Sequence, residues 1–94
     1  MKRVTLDCTG MTGPDEVHDL FARALEFPDW YGRNLDALYD LLSTYPPLEL
    51  TLANAGALEL LFRYGSNLRL ALEDAERDNP DLKLVFLEGN GREG

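Results

Sequence analysis

Three short apolar stretches alternate with two long spans of helical periodicity, and this alternation restricts the fold more than any other feature of the sequence. The stretches are residues 4–8, 48–52 and 82–87, and turn-forming residues lie beside them. Strands connected through helices pair in parallel, because a helical crossover returns the chain to the same end of the sheet. The sequence therefore predicts three parallel strands. The third is the most apolar and is expected to be covered on both faces.

The first span between strands divides into two helical segments. Apolar residues recur at helical spacing over residues 14–26, and Pro14 suits the first turn of such a helix. A proline and glycine-containing loop follows, and Asn34 is placed to cap a second helix that runs to about Thr44. This span therefore predicts a helix pair.

The second span repeats the arrangement. Asn54 is predicted to cap a helix that ends near residue 64, and Gly65-Ser66-Asn67 is predicted to separate it from a fourth helix over residues 68–77. The expected fold class is α/β. It is a three-stranded parallel sheet covered by about four helices, in the order β-α-α-β-α-α-β.

Chain length and cysteine content bound the architecture. Residues 1–94 suit a single domain, and the glycine-rich tail 88–94 is expected to fray. No apolar run approaches the roughly 18 residues that cross a bilayer, and polar residues interrupt the first strand too early for a signal peptide. Cys8 is the only cysteine, so no intramolecular disulfide can form. A reducing compartment, the cytoplasm, is the expected location.

The charge balance is strongly acidic. Seventeen Asp and Glu residues stand against nine Lys and Arg residues, which gives a formal net charge of −8. Such a field repels nucleic acid and anionic membrane surfaces and attracts basic molecules. We therefore expect no direct contact with nucleic acid or membrane, and a basic protein as the partner.

The second predicted helix has two chemically distinct faces. At 100° per residue its leucines, Leu35, Leu38 and Leu42, cluster on one side, whereas Asp36 and Asp40 lie nearly opposite them. Residues 34–44 contain no Lys or Arg, so the like-charged pair is uncompensated on its own helix. Like charges four residues apart cost an isolated helix roughly 0.2 to 0.5 kcal/mol. The pair therefore does not help the helix to fold. The simplest explanation for the pair is an acidic face that is exposed to solvent and has no binding partner.

The segment around this helix resembles the signature of the barstar family. Residues 27–42 read FPDWYGRNLDALYDLL, and the family pattern is an aromatic pair, Gly, any residue, Asn, Leu, Asp, Ala, and then an aromatic residue and Asp. The shared order of strands and helices extends the resemblance more weakly over almost the whole chain. The resemblance implies a three-stranded parallel sheet with helices. It also implies an intracellular inhibitor of barnase-type, guanyl-specific extracellular ribonucleases, which is not an enzyme and needs no cofactor or metal.

The resemblance also implies a mode of binding, in which the second helix and the loop before it fill the nuclease active site. Asp40 would take the place of an RNA phosphate, Asp36 would engage the same basic cluster, and Trp30 would pack against the catalytic histidine. The full set of implied partner-binding residues is Trp30, Tyr31, Gly32, Asn34, Asp36, Tyr39, Asp40 and Asp74.

Two positions depart from the best-known member of the family. Tyr39 stands where that member has tryptophan, and Asp74 is one methylene shorter than the matching acid. These differences bear on the identity of the nuclease more than on the mode of binding. An alternative function is therefore an acidic interaction module of the same fold that binds another basic protein, such as a toxin domain or a regulator. A second acidic run, residues 73–81, is then either a solvated face or a flank of the binding surface.

An enzyme remains as a remote alternative, a small metal-dependent hydrolase that uses Asp36 and Asp40 as ligands or as an acid and base pair. His18 is the only histidine and is expected on the solvated surface of the first helix. Cys8 and His18 are the residue types of a nucleophile and its base, but a cysteine on the apolar face of a strand is usually a small buried hydrophobic residue.

Overall fold

The computed structural model describes residues 1–89, in which three parallel strands form one sheet. The strands are β1 (Lys2–Asp7), β2 (Leu48–Ala53) and β3 (Leu82–Leu87). β2 lies in the centre, where Leu50 pairs with Val4 of β1 and with Leu84 of β3. The predicted parallel sheet is confirmed.

One face of the sheet is apolar and buried, and the other is largely polar. Leu48, Leu50 and Leu52 of the central strand have no exposed surface. On the opposite face, Glu49 of β2 is in register with Arg3 and Lys83. The chain steps across the sheet in one direction, from β1 to β2 to β3, and two crossovers of the same hand that step in one direction place their helices on the same face.

This arrangement contradicts the expectation that β3 is covered on both faces. β3 is an edge strand, and Leu87 at its end is 51% exposed. Within residues 1–89, helices cover only the leucine face of the sheet, so the apolar residues of β3 that point the other way, such as Val85, are half-exposed. The apolar composition of β3 therefore does not mark a central position.

The crossovers contain the predicted helix pairs, with one of the four helices in 3₁₀ geometry. A single 3₁₀ turn, Cys8–Gly10, also follows β1. The longer elements are α1 (Pro14–Leu25), α2 (Leu35–Ser43), the 3₁₀ segment (Ala55–Leu61) and α3 (Arg63–Asp78). The predicted order β-α-α-β-α-α-β is confirmed.

The boundary inside the second crossover differs from the prediction. Asn54 has a left-handed backbone with φ of 56° and makes no side-chain cap, and the chain turns again at Phe62, where φ is 57°. Gly65 does not break a helix but lies buried in the first turn of α3. A Cβ atom at Gly65 would lie 2.1 Å from the carbonyl oxygen of Leu58. The glycine therefore permits close contact between two backbones. In the sequence alone, a glycine with this role looks the same as a glycine that ends a helix.

The tail that is predicted to fray, residues 88–94, begins directly after β3. Residues 90–94 lie outside the described part of the chain. Glu88, the first residue of the predicted tail, forms an ion pair with Arg69 at 2.8 Å, and its carbonyl oxygen accepts a hydrogen bond from the Gly56 amide. The tail is therefore anchored at its beginning.

Candidate functional site

Side-chain amides fix both ends of α2. At the start, the Asn34 Oδ1 atom accepts a hydrogen bond of 2.8 Å from the Ala37 amide, which confirms the predicted cap. Such a cap stabilises a helix by about 1 kcal/mol. At the other end, the buried Asn79 side chain donates to the carbonyl oxygens of Leu42, at 2.8 Å, and Tyr45, at 3.1 Å. The partners of Asn79 are more than 30 positions away in the sequence, so no local pattern indicates this role.

The two faces of α2 are as predicted. Leu38 and Leu42 are fully buried, Leu35 in the first turn is half-buried, and Asp36 and Asp40 are exposed. Within residues 1–89, neither carboxylate is in an ion pair or accepts a hydrogen bond from another side chain. A short helix that is anchored at both ends therefore presents two uncompensated negative charges to the solvent.

The loop before α2 separates its two neighbouring aromatic residues. Trp30 is 76% exposed, whereas Tyr31 is only 6% exposed. The Tyr31 amide donates to the carbonyl oxygen of Pro28 at 3.0 Å, and the rings of Tyr31 and Phe27 lie 4.7 Å apart between centroids. Tyr31 thus anchors the loop in the core. Trp30 is the ring that is free to contact a partner.

His18 is the anchor of Tyr31, which corrects the prediction that this histidine lies on the helix surface. The imidazole is 1% exposed. Its Nδ1 atom lies 2.6 Å from the hydroxyl of Tyr31, and its Nε2 atom lies 2.6 Å from the hydroxyl of Tyr64 on α3. A neutral imidazole has one donor and one acceptor nitrogen, and each tyrosine hydroxyl can serve as either. Both ring nitrogens are therefore satisfied, and burial is compatible with this polar residue.

Burial sets the titration of this cluster. Desolvation and the nearby Arg33 guanidinium lower the pKa of His18, because both disfavour the imidazolium form, although Asp15 and Asp19 partly oppose them. Desolvation raises the pKa of Tyr31. Both shifts favour the uncharged forms, which are the neutral imidazole and the protonated phenol.

Arg33 ties the loop to α1, a role that the sequence did not reveal. Its backbone is left-handed, with φ of 56°, and its guanidinium lies 2.8 Å from the carboxylate of Asp19. The neighbouring Gly32 is tightly placed, since a Cβ atom there would lie 3.2 Å from the Cβ of Ala37. The loop therefore has a defined course into α2. Its anchors are an ion pair, a buried ring and a close backbone approach.

An open groove of about 460 Å³ lies between α2 and α3. Its walls combine acidic groups with apolar ones. They are formed by Leu35, Asp36, Tyr39, Asn67, Leu70, Ala71, Asp74 and Arg77. The groove therefore brings Asp74, predicted from the fourth helix, into the same surface as Asp36 and Tyr39 of α2.

One rim of this groove carries a chain of polar contacts. The Tyr39 hydroxyl donates a hydrogen bond to the carboxylate of Asp78. Arg77 pairs with the same carboxylate at 3.3 Å and with Asp74 at 3.0 Å. The hydrogen bond from Tyr39 and the contact with Arg77 lower the pKa of Asp78, and the same hydrogen bond raises the pKa of Tyr39. Asp74 and Asp78 therefore have intramolecular partners, unlike Asp36 and Asp40.

Comparison with known families agrees with this geometry. A family model described as "Barstar (barnase inhibitor)" matches residues 1–86. The chain belongs to the barstar family. The match includes β1, β2, α2, the residues that line the groove, and all of β3 except Leu87.

A curated relative supports the assignment to the barstar family. The chain is 30% identical over 91 residues to a Bacillus subtilis (strain 168) protein named "Putative ribonuclease inhibitor YrdF". The aligned region covers 94% of this chain and 100% of the relative. The similarity is therefore to a whole protein of similar size.

The residues that the barstar resemblance implied as partner-binding fall into three groups by accessibility. The exposed group is Trp30, Gly32, Asn34, Asp36 and Asp40. Tyr39 and Asp74 are half-buried, and Tyr31 is buried. All but Tyr31 are accessible in this structure. The ring of Tyr31 instead holds the loop in position.

The second acidic run does not form one surface. Asp74 lines the groove, whereas the Glu76 carboxylate accepts a hydrogen bond of 2.8 Å from the Leu84 amide of β3. Asp78 is engaged by Tyr39, and Glu73 is exposed. The run therefore divides between the groove and the neighbouring strand, and only part of it flanks α2.

The residues considered for enzyme chemistry lie in separate environments. Burial raises the pKa of the Cys8 thiol to about 11, which disfavours the nucleophilic thiolate. The nitrogens of His18 are occupied by tyrosine hydroxyls and are not available to Cys8. Within residues 1–89, no three His, Cys, Asp or Glu side chains are grouped as metal ligands would be. The same residues contain no helix that is both long and apolar enough to cross a membrane.

Proposed function

We propose that the protein inhibits a barnase-type, guanyl-specific ribonuclease by covering its RNA-binding cleft with α2 and the loop before it. The observation that carries the proposal is the pair of uncompensated carboxylates, Asp36 and Asp40, on a helix fixed at both ends. Membership in the barstar family supports it, as does the similarity to a protein named for ribonuclease inhibition. Such an inhibitor would act inside the cell and carry out no catalysis of its own.

The chemistry of the partner explains the acidic helix. A ribonuclease binds a polyanion, so its cleft presents Lys, Arg and His side chains that repel one another until an anion binds. Carboxylates on a rigid helix form charge-assisted hydrogen bonds with those groups without having to be ordered first. In this proposal Asp40 replaces an RNA phosphate, and Asp36 contacts the same basic cluster.

An inhibition assay tests the proposal directly. The purified protein is titrated into a barnase-type ribonuclease, and cleavage of a fluorogenic RNA substrate is followed. We expect activity to fall to zero near one equivalent of inhibitor, because the tightest protein inhibitors bind at or below about nanomolar concentrations. Full cleavage in the presence of a hundredfold excess of the protein would exclude this function and favour a different basic partner.

Trp30 is expected to contribute to binding and not to stability. We predict that Trp30→Ala weakens inhibition by about tenfold or more, since exposed aromatic residues are frequent hot spots, and changes the free energy of unfolding by less than about 0.5 kcal/mol. Tyr31→Ala is the matched variant, because it removes the buried neighbour and is expected to lower stability by about 3 kcal/mol. Urea unfolding and inhibition constants are measured for both. A Trp30 variant that loses stability and keeps inhibition would contradict the assignment.

The net charge is expected to act on the rate of association. A field of −8 attracts a basic enzyme over distances comparable to the Debye length, which is about 10 Å at 0.1 M salt and about 3 Å at 1 M. We therefore predict that the association rate falls at least tenfold between these salt concentrations, while the dissociation rate changes less. Stopped-flow measurements give both rates. An association rate that does not depend on salt would contradict electrostatic steering.

A further inference from the structure

Within residues 1–89, Arg77 is the only cation among the side chains that line the groove between α2 and α3. It lies in the last turn of α3 and is 68% exposed. Its Nη1 atom is 3.0 Å from the Asp74 carboxylate, and its Nε atom is 3.3 Å from that of Asp78. A positive charge therefore stands in a groove whose other charged lining residues, Asp36 and Asp74, are both acidic.

The contacts of Arg77 divide the acidic residues of the site into two classes. Asp74 and Asp78 each have a cationic neighbour, and Asp78 also accepts the hydrogen bond from Tyr39. Asp36 and Asp40 have no such neighbour within residues 1–89. The uncompensated negative charge is thus concentrated on α2. Among these residues, α3 carries one positive charge against two negative ones, a net of −1 that Arg77 partly screens, whereas α2 carries −2 with no cation beside it.

We propose that Arg77 determines which basic partner this protein accepts, because it withholds Asp74 and Asp78 from incoming cations and leaves α2 as the attractive surface. The proposal rests on the proposed function and names the partner chemistry it selects. A matched partner carries its cationic cluster over Asp36 and Asp40 and places an uncharged or acidic group beside Arg77. A partner with Lys or Arg at that position is repelled, which is discrimination by an unfavourable contact.

The effect of Arg77 is expected to be moderate. Exposed ion pairs are weak because water and salt screen them, so an incoming cation can compete with Arg77 for Asp74. We expect removal of the guanidinium to strengthen the binding of a cationic probe by about three- to fivefold beyond the general effect of a more negative net charge. Arg63→Ala provides the control for that general effect. Arg63 is exposed, forms no ion pair within residues 1–89, and lies 14 residues before Arg77, or about 21 Å along α3.

A peptide titration tests the proposal without any nuclease. Hexa-arginine is added to isotope-labelled wild type, Arg77→Ala and Arg63→Ala, and carboxyl carbon shifts are followed by NMR. In wild type and Arg63→Ala we expect the largest shifts at Asp36 and Asp40 and small ones at Asp74. In Arg77→Ala, Asp74 should join the responding group, and affinity should rise by the margin given above. Equal responses of Asp74 in all three proteins, or equal affinities of the two variants, would overturn the proposal.

A second experiment connects Arg77 to inhibition. Asp74→Asn is introduced into wild type and into Arg77→Ala, and inhibition of a barnase-type ribonuclease is measured for each. We expect the substitution to weaken inhibition less than twofold in wild type and more than fivefold in Arg77→Ala, where Asp74 is released. The same loss in both backgrounds would refute the role of Arg77. If the wild-type protein does not inhibit at all, the proposed function fails, and the peptide titration still decides the question about Arg77.

Discussion

Replacing Asp40 with alanine is expected to weaken inhibition of a barnase-type ribonuclease by about a hundredfold or more, which corresponds to roughly 3 kcal/mol of binding free energy. The proposed complex places this carboxylate among several cations of the enzyme. Removing it loses charge-assisted hydrogen bonds and leaves those cations buried without a partner, which is the larger part of the loss. The expected effect is mainly a faster dissociation of the complex.

The same substitution should leave the fold intact. Asp40 is exposed, and no other side chain depends on its carboxylate within residues 1–89. Its removal relieves repulsion with Asp36 one turn away, so we expect the free energy of unfolding to stay constant or rise by a few tenths of a kcal/mol. A variant that unfolds would contradict the surface assignment of Asp40.

Glu59→Ala is the matched control for the change in net charge. Glu59 is exposed on the 3₁₀ segment and does not line the groove between α2 and α3. Both variants lose one negative charge, so both should associate slightly more slowly, but only Asp40→Ala should dissociate much faster. Similar inhibition constants for the two variants would show that Asp40 acts only through the overall field.

The acidic helix could be predicted because every sequence feature that defines it lies within the helix or directly beside it. Leucine spacing and acid spacing coincide on one short element, and the capping residue precedes it directly. The sheet could be predicted for a similar reason, since period-two alternation and helical spans suffice to require parallel pairing. These features depend on the order of residues along the chain and not on distant partners.

The features that escaped prediction depend on contacts between different elements of the fold. The sequence predicts His18 on the surface, because the two tyrosines that satisfy its ring nitrogens, Tyr31 and Tyr64, are 13 and 46 positions away. The sequence predicts Gly65 as a helix breaker, whereas in the structure it lies within α3 and makes room for the backbone of Leu58. Polarity and glycine content are the local signals in these cases. A polar residue can be exposed or buried, and a glycine can form a turn or allow close packing. Only the tertiary contacts decide between these alternatives.

His18 is expected to control the stability of the protein at mildly acidic pH. Its pKa is lowered in the folded state, so between that value and the unfolded value of about 6.5 the unfolded chain binds more protons than the folded one. The free energy of unfolding therefore has its full value above pH 6.5. It falls as the pH drops below 6.5, until the folded-state pKa is reached, by at most about 1.4 kcal/mol per pH unit. His18 is the only histidine in the sequence, and typical carboxylates titrate below this range.

Urea unfolding of the wild type at pH 7.5, 6.5 and 5.5 measures this dependence, and two variants assign it. His18→Leu removes the titrating group and leaves the Tyr31 hydroxyl buried without its partner, so it should lose about 2 to 3 kcal/mol at pH 7.5 and show no further loss at pH 5.5. Tyr31→Phe removes only the hydroxyl, so it should lose less and retain the pH dependence. A wild-type stability that is constant or higher at pH 5.5 would show that the buried imidazole does not favour its neutral form. In that case a protonated His18 that donates to both tyrosine hydroxyls would have to link the loop before α2 to α3 as strongly as the neutral imidazole does.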